Sequence, residues 1–152
     1  ADARLLAGVK DFLQYSVTNN VEIFYLTNRK EKFRNVTLAN LQKHQIPQAE
    51  NEHLIMRTNA SSKEKRRNKI KEDFHISLLI GDNLNDFSKI FEEKSNAAKK
   101  DLIDKHKDLF GTRFIVLPNA TYGDWEGALY DYNYSLSGKE KHLKRMQSLT
   151  GF

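Results

Sequence analysis

The sequence predicts an α/β fold in which a mostly parallel sheet is covered by helices. Three short apolar runs rich in β-branched and aromatic residues predict buried strands: VEIFYLT (21–27), ISLLIG (76–81) and RFIVL (113–117). HLIMR (53–57) is a weaker fourth candidate. Segments with helical character lie between these runs. This alternation of strands and helices favours parallel strands with helices on both faces of the sheet.

The predicted helices are amphipathic or charge-rich segments that separate the strands. They run from Leu5 to Tyr15, from Lys32 to His44, from Ser62 to Asp73 and from Lys99 to Leu109. A fifth helix is predicted near the end of the chain, because Ser137 and Glu140 have the spacing of a capping box. Leu143, Met146 and Leu149 recur at three-residue spacing along it, so we expect this apolar stripe to pack on the sheet.

The composition indicates a single domain, 1–152, without a membrane-spanning helix. The chain is 39% hydrophobic and 30% charged, and no apolar run approaches about 18 residues. Cysteine is absent, which excludes disulfides, thiolate metal ligands and cysteine nucleophiles. The net charge of +5 would suit an acidic partner. However, acids and bases alternate in 61–73 and 92–108 as on solvated helix faces, so we expect no nucleic-acid polymer as a partner.

The residues at the ends of the predicted strands carry the polar groups of a candidate site. In open parallel sheets, ligands bind outside the carboxyl ends of the strands. Thr27 and Asn28 stand at the end of the first strand, and Asp82 and Asp86 follow the second. Hard oxygen ligands held close together suit Mg²⁺, which takes one or two protein carboxylates. The equally favoured alternative is that Asp82 or Asn83 caps a helix and Asp86 lies in its first turn.

A second capping box is predicted at Ser61 and Glu64, and it places Lys63 in the first turn of a helix. A lysine at this position opposes the helix dipole, and function could explain it. Helix N-termini bind phosphate through free N–H groups, and an ammonium supplies the charge that a phosphoryl group needs. The alternative is one more lysine in a charge-rich helix, and composition alone favours that alternative.

Four motifs, taken in order, resemble one protein family. FYLTNR (24–29), SSKEKRR (61–67), LLIGDNLNDF (78–87) and FIVLPNATYGDWEGAL (114–129) are similar to the later motifs of the class C acid phosphatases. These are the lipoprotein acid phosphatases and nucleotidases of the haloacid dehalogenase superfamily, also called DDDD phosphatases. The resemblance covers nearly the whole chain and implies a three-layer, Rossmann-like core with a mostly parallel sheet.

The resemblance implies a Mg²⁺-dependent phosphatase that hydrolyses phosphomonoesters through an aspartyl-phosphate intermediate, with 5′-nucleotides among the candidate substrates. It assigns phosphate binding to Thr27 and Asn28. Lys63 matches the catalytic lysine that neutralises the charge of phosphate and nucleophile, and Lys65 is the alternative two residues later.

The same resemblance assigns the metal side of the site. Asp82 matches a direct Mg²⁺ ligand, and Asp86 matches a catalytic residue that orients the site without binding the metal. Tyr122 and Trp125 lie in a stretch typical of the family, and we expect them to be aromatics of the site wall or of the core.

One family motif, DxDET, has no match in this sequence. The resemblance gives it the nucleophile and the acid/base aspartate, and places its strand between the strands that end at Thr27 and Gly81. We therefore expect the chain to be the carboxyl-terminal part of a longer enzyme, inactive alone, with the missing amino-terminal segment as its partner. A non-catalytic, phosphatase-like surface binding protein is the alternative. The resemblance also implies an extracytoplasmic lipoprotein, membrane-attached only through a lipid anchor upstream of Ala1, and it leaves the oligomeric state open.

Overall fold

The computed structural model describes residues 4–119 and 123–149, and these residues fall into two compact units. The first unit extends to Arg66 and the second begins at Arg67, so the division lies inside one helix, Glu64–Asp73. Each unit contains one pair of parallel strands. In the described part of the chain, no helix is both long enough and apolar enough to span a bilayer.

The first unit combines a parallel strand pair with helices. Its elements are α1 (Val9–Thr18), β1 (Tyr25–Lys30), α2 (Arg34–Lys43) and β2 (Leu54–Arg57), with α3 (Glu64–Asp73) beginning at its end. The weakest of the strand predictions is therefore confirmed by β2, which pairs with β1 and places Leu54 and Met56 in the core.

Strand β1 begins at Tyr25, four residues later than the sequence predicts, and it ends three residues later, at Lys30. The apolar residues before it are held in another way. The backbone N–H of Ile23 donates to Oε1 of Gln48 at 2.7 Å, so a side chain takes the place of a neighbouring strand. An apolar run predicts burial, but it does not show which partner satisfies the backbone.

The second unit contains the other strand pair and most of the short helices. Its elements after α3 are β3 (Leu79–Gly81), α4 (Asn96–Lys105), β4 (Phe114–Val116), α5 (Asp124–Ala128) and α6 (Gly138–Ser148). Strands β3 and β4 pair in parallel, with Leu79 opposite Phe114 and Gly81 opposite Val116. The core is built on stacked and edge-on phenylalanine rings with centroids 5.0 to 6.4 Å apart, from Phe87, Phe91, Phe110 and Phe114.

Helix starts follow local capping chemistry. Helix α1 begins four residues later than predicted, directly after Gly8, whose φ of 78° is left-handed and therefore non-helical. Helix α4 begins three residues earlier than predicted, because the Ser95 hydroxyl accepts a hydrogen bond from the backbone N–H of Ala98 at 3.2 Å. The capping box of Ser137 and Glu140 is confirmed in both directions at the start of α6.

The apolar stripe of α6 does not pack as predicted. Leu143, Met146 and Leu149 are each at least half exposed, so the expectation that they dock on the sheet is wrong. Polar contacts attach the helix to the segment before it instead. These contacts pair Arg145 with Glu126 and Lys141 with the Tyr134 carbonyl.

Burial departs from the sequence prediction in two ways. The strand residues Ile80 and Val116 are 43% and 50% exposed, although the apolar runs predict buried strands. Conversely, Arg67 and Lys99 are only 2% and 5% exposed, although the charge pattern predicts solvated helix faces around both. Alternating charge describes a helix on average, and it does not identify the one cation that turns inward.

Candidate functional site

Strand β1 is bulged where Thr27 and Asn28 lie. The register with β2 shifts between Leu26 and Lys30, so β1 carries extra residues there. Inside the bulge, the Thr27 hydroxyl accepts a hydrogen bond from the backbone N–H of Arg29 at 3.2 Å. Bulges re-aim side chains and are common beside functional sites. The two predicted phosphate-binding residues therefore lie within a distorted strand, and not in a loop after it.

The guanidinium of Arg66 holds this bulge. Its Nη1 donates to the carbonyl oxygen of Thr27 at 2.7 Å, and its Nη2 donates to Oδ1 of Asn28 at 2.6 Å. Nη2 also lies 3.3 Å from the carbonyl oxygens of Ser61 and Ser62. Arg66 was not among the predicted site residues. A basic residue in a charge-rich helix gives no sequence signal of a contact with a strand 39 residues earlier.

Lys63 lies directly before α3, and not in its first turn. The helix begins at Glu64, and the hydroxyl that accepts from the Glu64 backbone N–H, at 3.3 Å, belongs to Ser62. The predicted capping box of Ser61 with Glu64 is therefore wrong, because the next serine takes that role. Lys65, the alternative phosphate lysine, is the second residue of α3 and is exposed.

In the second unit, Asp82 follows β3 directly and is exposed. Its Oδ2 accepts a hydrogen bond from Nδ2 of Asn119 at 2.8 Å. Asn119 stands three residues after the end of β4, so the two partners follow neighbouring parallel strands, where sequence reasoning places a site. The amide orients one oxygen of the carboxylate, and within the described residues the other oxygen accepts no hydrogen bond.

Asp86 lies in a 3₁₀ turn, Leu84–Asp86, which Asn83 caps by accepting a hydrogen bond from the Asn85 backbone N–H at 3.1 Å. Asn83 thus does what the capping alternative predicted. The side chain of Asp86 lies against the end of β3: a Cβ on Gly81 would be 2.5 Å from Oδ2 and 2.6 Å from Cβ of Asp86. Only a glycine allows the backbone and the aspartate to approach this closely.

Arg67 fixes the same turn from α3. Its buried Nη1 donates to the carbonyl oxygens of Asn85 at 3.1 Å and Asp86 at 2.7 Å. Hydrogen bonds from a charged donor are stronger than neutral ones, and burial keeps water from competing for them. These two hydrogen bonds therefore attach the turn that carries Asp86 to α3.

Lys99 is a second buried cation, and it holds the segment after β4. Its ammonium pairs with the carboxylate of Asp124 and donates to the hydroxyl of Tyr132 at 3.0 Å. That hydroxyl lies 2.9 Å from Oδ2 of Asp124 and 2.8 Å from the carbonyl oxygen of Lys94. Burial is the larger cause that raises the pKa of the Tyr132 hydroxyl, and the hydrogen bond to Asp124 raises it further. The sequence predicted none of this cluster, because its members are far apart and individually ordinary.

The aromatic stretch before α6 is described in part. Trp125 lies on α5 and is 37% exposed, which places it in neither a closed core nor open solvent. Tyr122 lies outside the described residues. Gly123 has a φ of 150°, and a Cβ there would lie 2.9 Å from Nδ2 of Asn83. The stretch therefore begins against the residue that caps the Asp86 turn.

The carboxylate of Asp82 fits a role as one ligand of Mg²⁺. It is exposed, and Asn119 engages one of its two oxygens. Mg²⁺ binds through one or two protein carboxylates and retains several waters. Across residues 4–119 and 123–149, no group of three or more His, Cys, Asp or Glu side chains could hold a metal ion.

The described site thus has an aspartate, Asp82, directly after β3, which pairs in parallel with β4. A family model described as HAD superfamily, subfamily IIIB (acid phosphatase) matches residues 1–125. The chain therefore belongs to the acid phosphatase family of the haloacid dehalogenase superfamily.

Solved structures identify the kind of acid phosphatase that the chain is similar to. The structure of the class C acid phosphatase from Bacillus anthracis is 41% identical, with a TM-score of 0.91, over 97% of this chain and 62% of that one. The crystal structure of that enzyme with tungstate bound has the same identity and coverage, with a TM-score of 0.92. The predicted α/β fold and the resemblance to class C acid phosphatases are confirmed. The chain spans 62% of the length of these relatives.

Proposed function

We propose that the whole protein is a Mg²⁺-dependent acid phosphatase that hydrolyses phosphomonoesters, with 5′-nucleotides as the first substrates to test. The observation that carries the proposal is the Asp82 carboxylate, exposed directly after β3 and oriented by Asn119, in a chain of the acid phosphatase family. Bound Mg²⁺ would supply charge neutralisation for a phosphoryl group.

Phosphate binding is assigned to the first unit. Thr27 and Asn28 offer a hydroxyl and an amide inside a bulge that Arg66 contacts, and Lys63 offers an ammonium directly before α3. Fixed donors around a phosphoryl group stabilise the charge that develops when its ester bond breaks. In the second unit, Asp82 would bind the metal, and Asp86 would act through the turn that it shares with Asn83.

The nucleophile is assigned to polypeptide that carries the DxDET motif and lies outside these 152 residues, so chain 1–152 alone is expected to be inactive. The half-exposed strand residues Ile80 and Val116 favour a further covering segment. In the reaction, an aspartate oxygen attacks phosphorus, the ester P–O bond breaks and the leaving alcohol takes a proton. Water then attacks the acyl phosphate and releases phosphate.

The resemblance to the lipoprotein acid phosphatases also supports a proposal about location. The protein is proposed to be extracytoplasmic and held at a membrane by a lipid on an upstream cysteine. Mass spectrometry of the mature amino terminus tests this directly. A lipid-modified cysteine is the expected result, and an unmodified amino terminus would contradict it.

The phosphate side of the site is tested by hydrolysis of a chromogenic phosphomonoester by the whole protein. Lys63→Met should lower the rate by about 100-fold or more, since the ammonium acts on the phosphoryl group. Lys65→Met is the matched control and should change the rate by less than about threefold. Exchanged effects would transfer the role to Lys65.

The metal side is tested with the same assay. Asp82→Asn should largely abolish turnover and weaken activation by Mg²⁺, because a neutral amide is a poorer ligand for a hard cation. Asp86→Asn should retain more activity. If the unsubstituted whole protein hydrolyses no phosphomonoester at any Mg²⁺ concentration, the non-catalytic binding protein becomes the better account.

A further inference from the structure

The guanidinium of Arg66 has acceptors in two segments that carry predicted phosphate-binding residues. One segment is the bulge of β1, where Arg66 binds the Thr27 carbonyl at 2.7 Å and Asn28 Oδ1 at 2.6 Å. The other is the turn before α3, where the carbonyl oxygens of Ser61 and Ser62 each lie 3.3 Å from Nη2. One rigid, planar group therefore fixes both segments.

Arg66 also determines which way the Asn28 amide faces. A guanidinium has only N–H donors, so the atom of Asn28 that faces it must be the acceptor Oδ1. The NH₂ of the same amide is then left to donate to something other than Arg66. A phosphoryl group carries only acceptor oxygens, and N–H groups are the donors that bind it.

We propose that Arg66 is a positioning residue for phosphate binding: it sets the Asn28 amide with its NH₂ directed away from α3 and fixes the turn that precedes Lys63. The inference rests on the proposed function, and it deepens that function by naming what pre-organises its oxyanion site. Arg66 acts through Asn28 and the turn, and its own donors are used by protein acceptors. A lysine cannot replace it, because an ammonium lacks the planar fork that reaches several acceptors at once.

The test measures binding of inorganic phosphate to the whole protein by calorimetry, beside steady-state kinetics with a phosphomonoester. Arg66→Met should weaken phosphate binding by about tenfold or more, because small misplacements of binding groups are costly. Arg66→Lys should weaken it nearly as much. Lys69→Met is the matched control: Lys69 is an exposed residue of the same helix, and its loss removes the same charge with no expected effect beyond about twofold.

A double-mutant cycle with Asn28→Asp separates positioning from general structural support. Aspartate keeps an acceptor for Arg66 but removes the NH₂, so this variant alone should weaken phosphate binding about as much as Arg66→Met. Because both changes disable the same group, the loss of phosphate affinity in the double variant should be much smaller than the product of the two single losses. A merely structural Arg66 would lower the thermal midpoint and leave phosphate affinity unchanged.

The outcomes for this inference and for the proposed function are distinguishable. If the unsubstituted protein binds phosphate but does not hydrolyse esters, the phosphatase proposal fails, and the phosphate affinities still test Arg66. If Arg66→Met binds phosphate as well as Lys69→Met does, or if its effect multiplies fully with that of Asn28→Asp, the positioning role is overturned. Absence of any phosphate binding by the unsubstituted protein would overturn both.

Discussion

Two neighbouring arginines of α3 contact predicted site residues in different ways, one in each compact unit. In the first unit, the partly exposed Arg66 donates to the Thr27 carbonyl and to a side-chain oxygen, Oδ1 of Asn28. In the second unit, the buried Arg67 donates to the main-chain carbonyls of Asn85 and Asp86. We therefore expect the buried Arg67 to stabilise the fold, and the partly exposed Arg66 to act mainly on ligand binding by orienting the Asn28 amide.

The largest expected effect is the loss of the buried cation. Arg67→Met should lower the free energy of unfolding by about 3 kcal/mol or more, because it removes a buried cation that donates to the carbonyls of Asn85 and Asp86. Arg66→Met should cost no more than about 1 kcal/mol, since water can replace a partly exposed donor. Denaturant unfolding of the whole protein checks both. Equal losses would remove the distinction between the two arginines.

The next effect concerns the packing of Asp86 on Gly81. Gly81→Ala should cost about 1 to 3 kcal/mol through overpacking and should also lower turnover, because the new methyl group displaces Asp86. Gly138→Ala is the control, because a Cβ there meets nothing within 4 Å. Activity and thermal unfolding should both separate the two variants. A fully active Gly81→Ala variant would show that the position of Asp86 is unimportant.

A smaller effect appears at high pH in the first unit. The Tyr25 hydroxyl donates to the Pro47 carbonyl, and burial raises the pKa of Tyr25 to about 12. Above pH 10 the unfolded chain loses this proton while the folded chain keeps it, so the contribution to stability falls as the pH rises toward 12. The slope should be less than about 1.4 kcal/mol per pH unit. Tyr25→Phe should reduce this dependence of the unfolding free energy on pH between pH 9 and pH 12, because the variant has no hydroxyl to titrate.

The smallest effect is local and compares two helix starts. Ser137→Ala should speed amide exchange in the first turn of α6 by a few fold, because the lost hydroxyl accepts from the Glu140 backbone N–H and donates to Oε2 of Glu140. Ser61→Ala should leave exchange at the start of α3 unchanged, and Ser62→Ala should speed it. If Ser61→Ala also speeds exchange there, the capping assignment at α3 is wrong.

The fold was predictable where one local rule acts alone. The apolar runs identify the four strands, and the spacing of Ser137 and Glu140 identifies the start of α6. The same rule fails at Ser61, because two adjacent serines offer the same hydroxyl and only the backbone geometry selects Ser62. The exposed stripe of α6 was mispredicted since periodicity reports an apolar face without saying what covers it.

The candidate site was predictable as a set of residue types at strand ends, but its support was not. Asp82 follows β3 and Asn119 follows β4 as expected for residues at strand ends, but the sequence does not show that these two side chains bind each other across 37 residues. Arg66, Arg67 and Lys99 read as surface cations in the sequence, because alternating charges hide the few that make long-range contacts. Such contacts depend on tertiary packing, and the charge pattern of one helix does not show which distant residues that helix will contact.

The most direct test of the account is one experiment that measures two constants in the whole protein: the activation midpoint for Mg²⁺ and the inhibition constant for inorganic phosphate. Thr27→Val should raise the phosphate constant by about tenfold and leave the Mg²⁺ midpoint within about twofold, as expected for one lost hydrogen bond. Asp82→Asn, assayed at its residual rate, should raise the activation midpoint for Mg²⁺ by about tenfold or more, because a neutral amide is a poorer ligand for a hard cation. A Thr27 variant with an unchanged phosphate constant, or an Asp82 variant with an unchanged Mg²⁺ midpoint, would contradict the assignment of phosphate to the first unit and metal to the second.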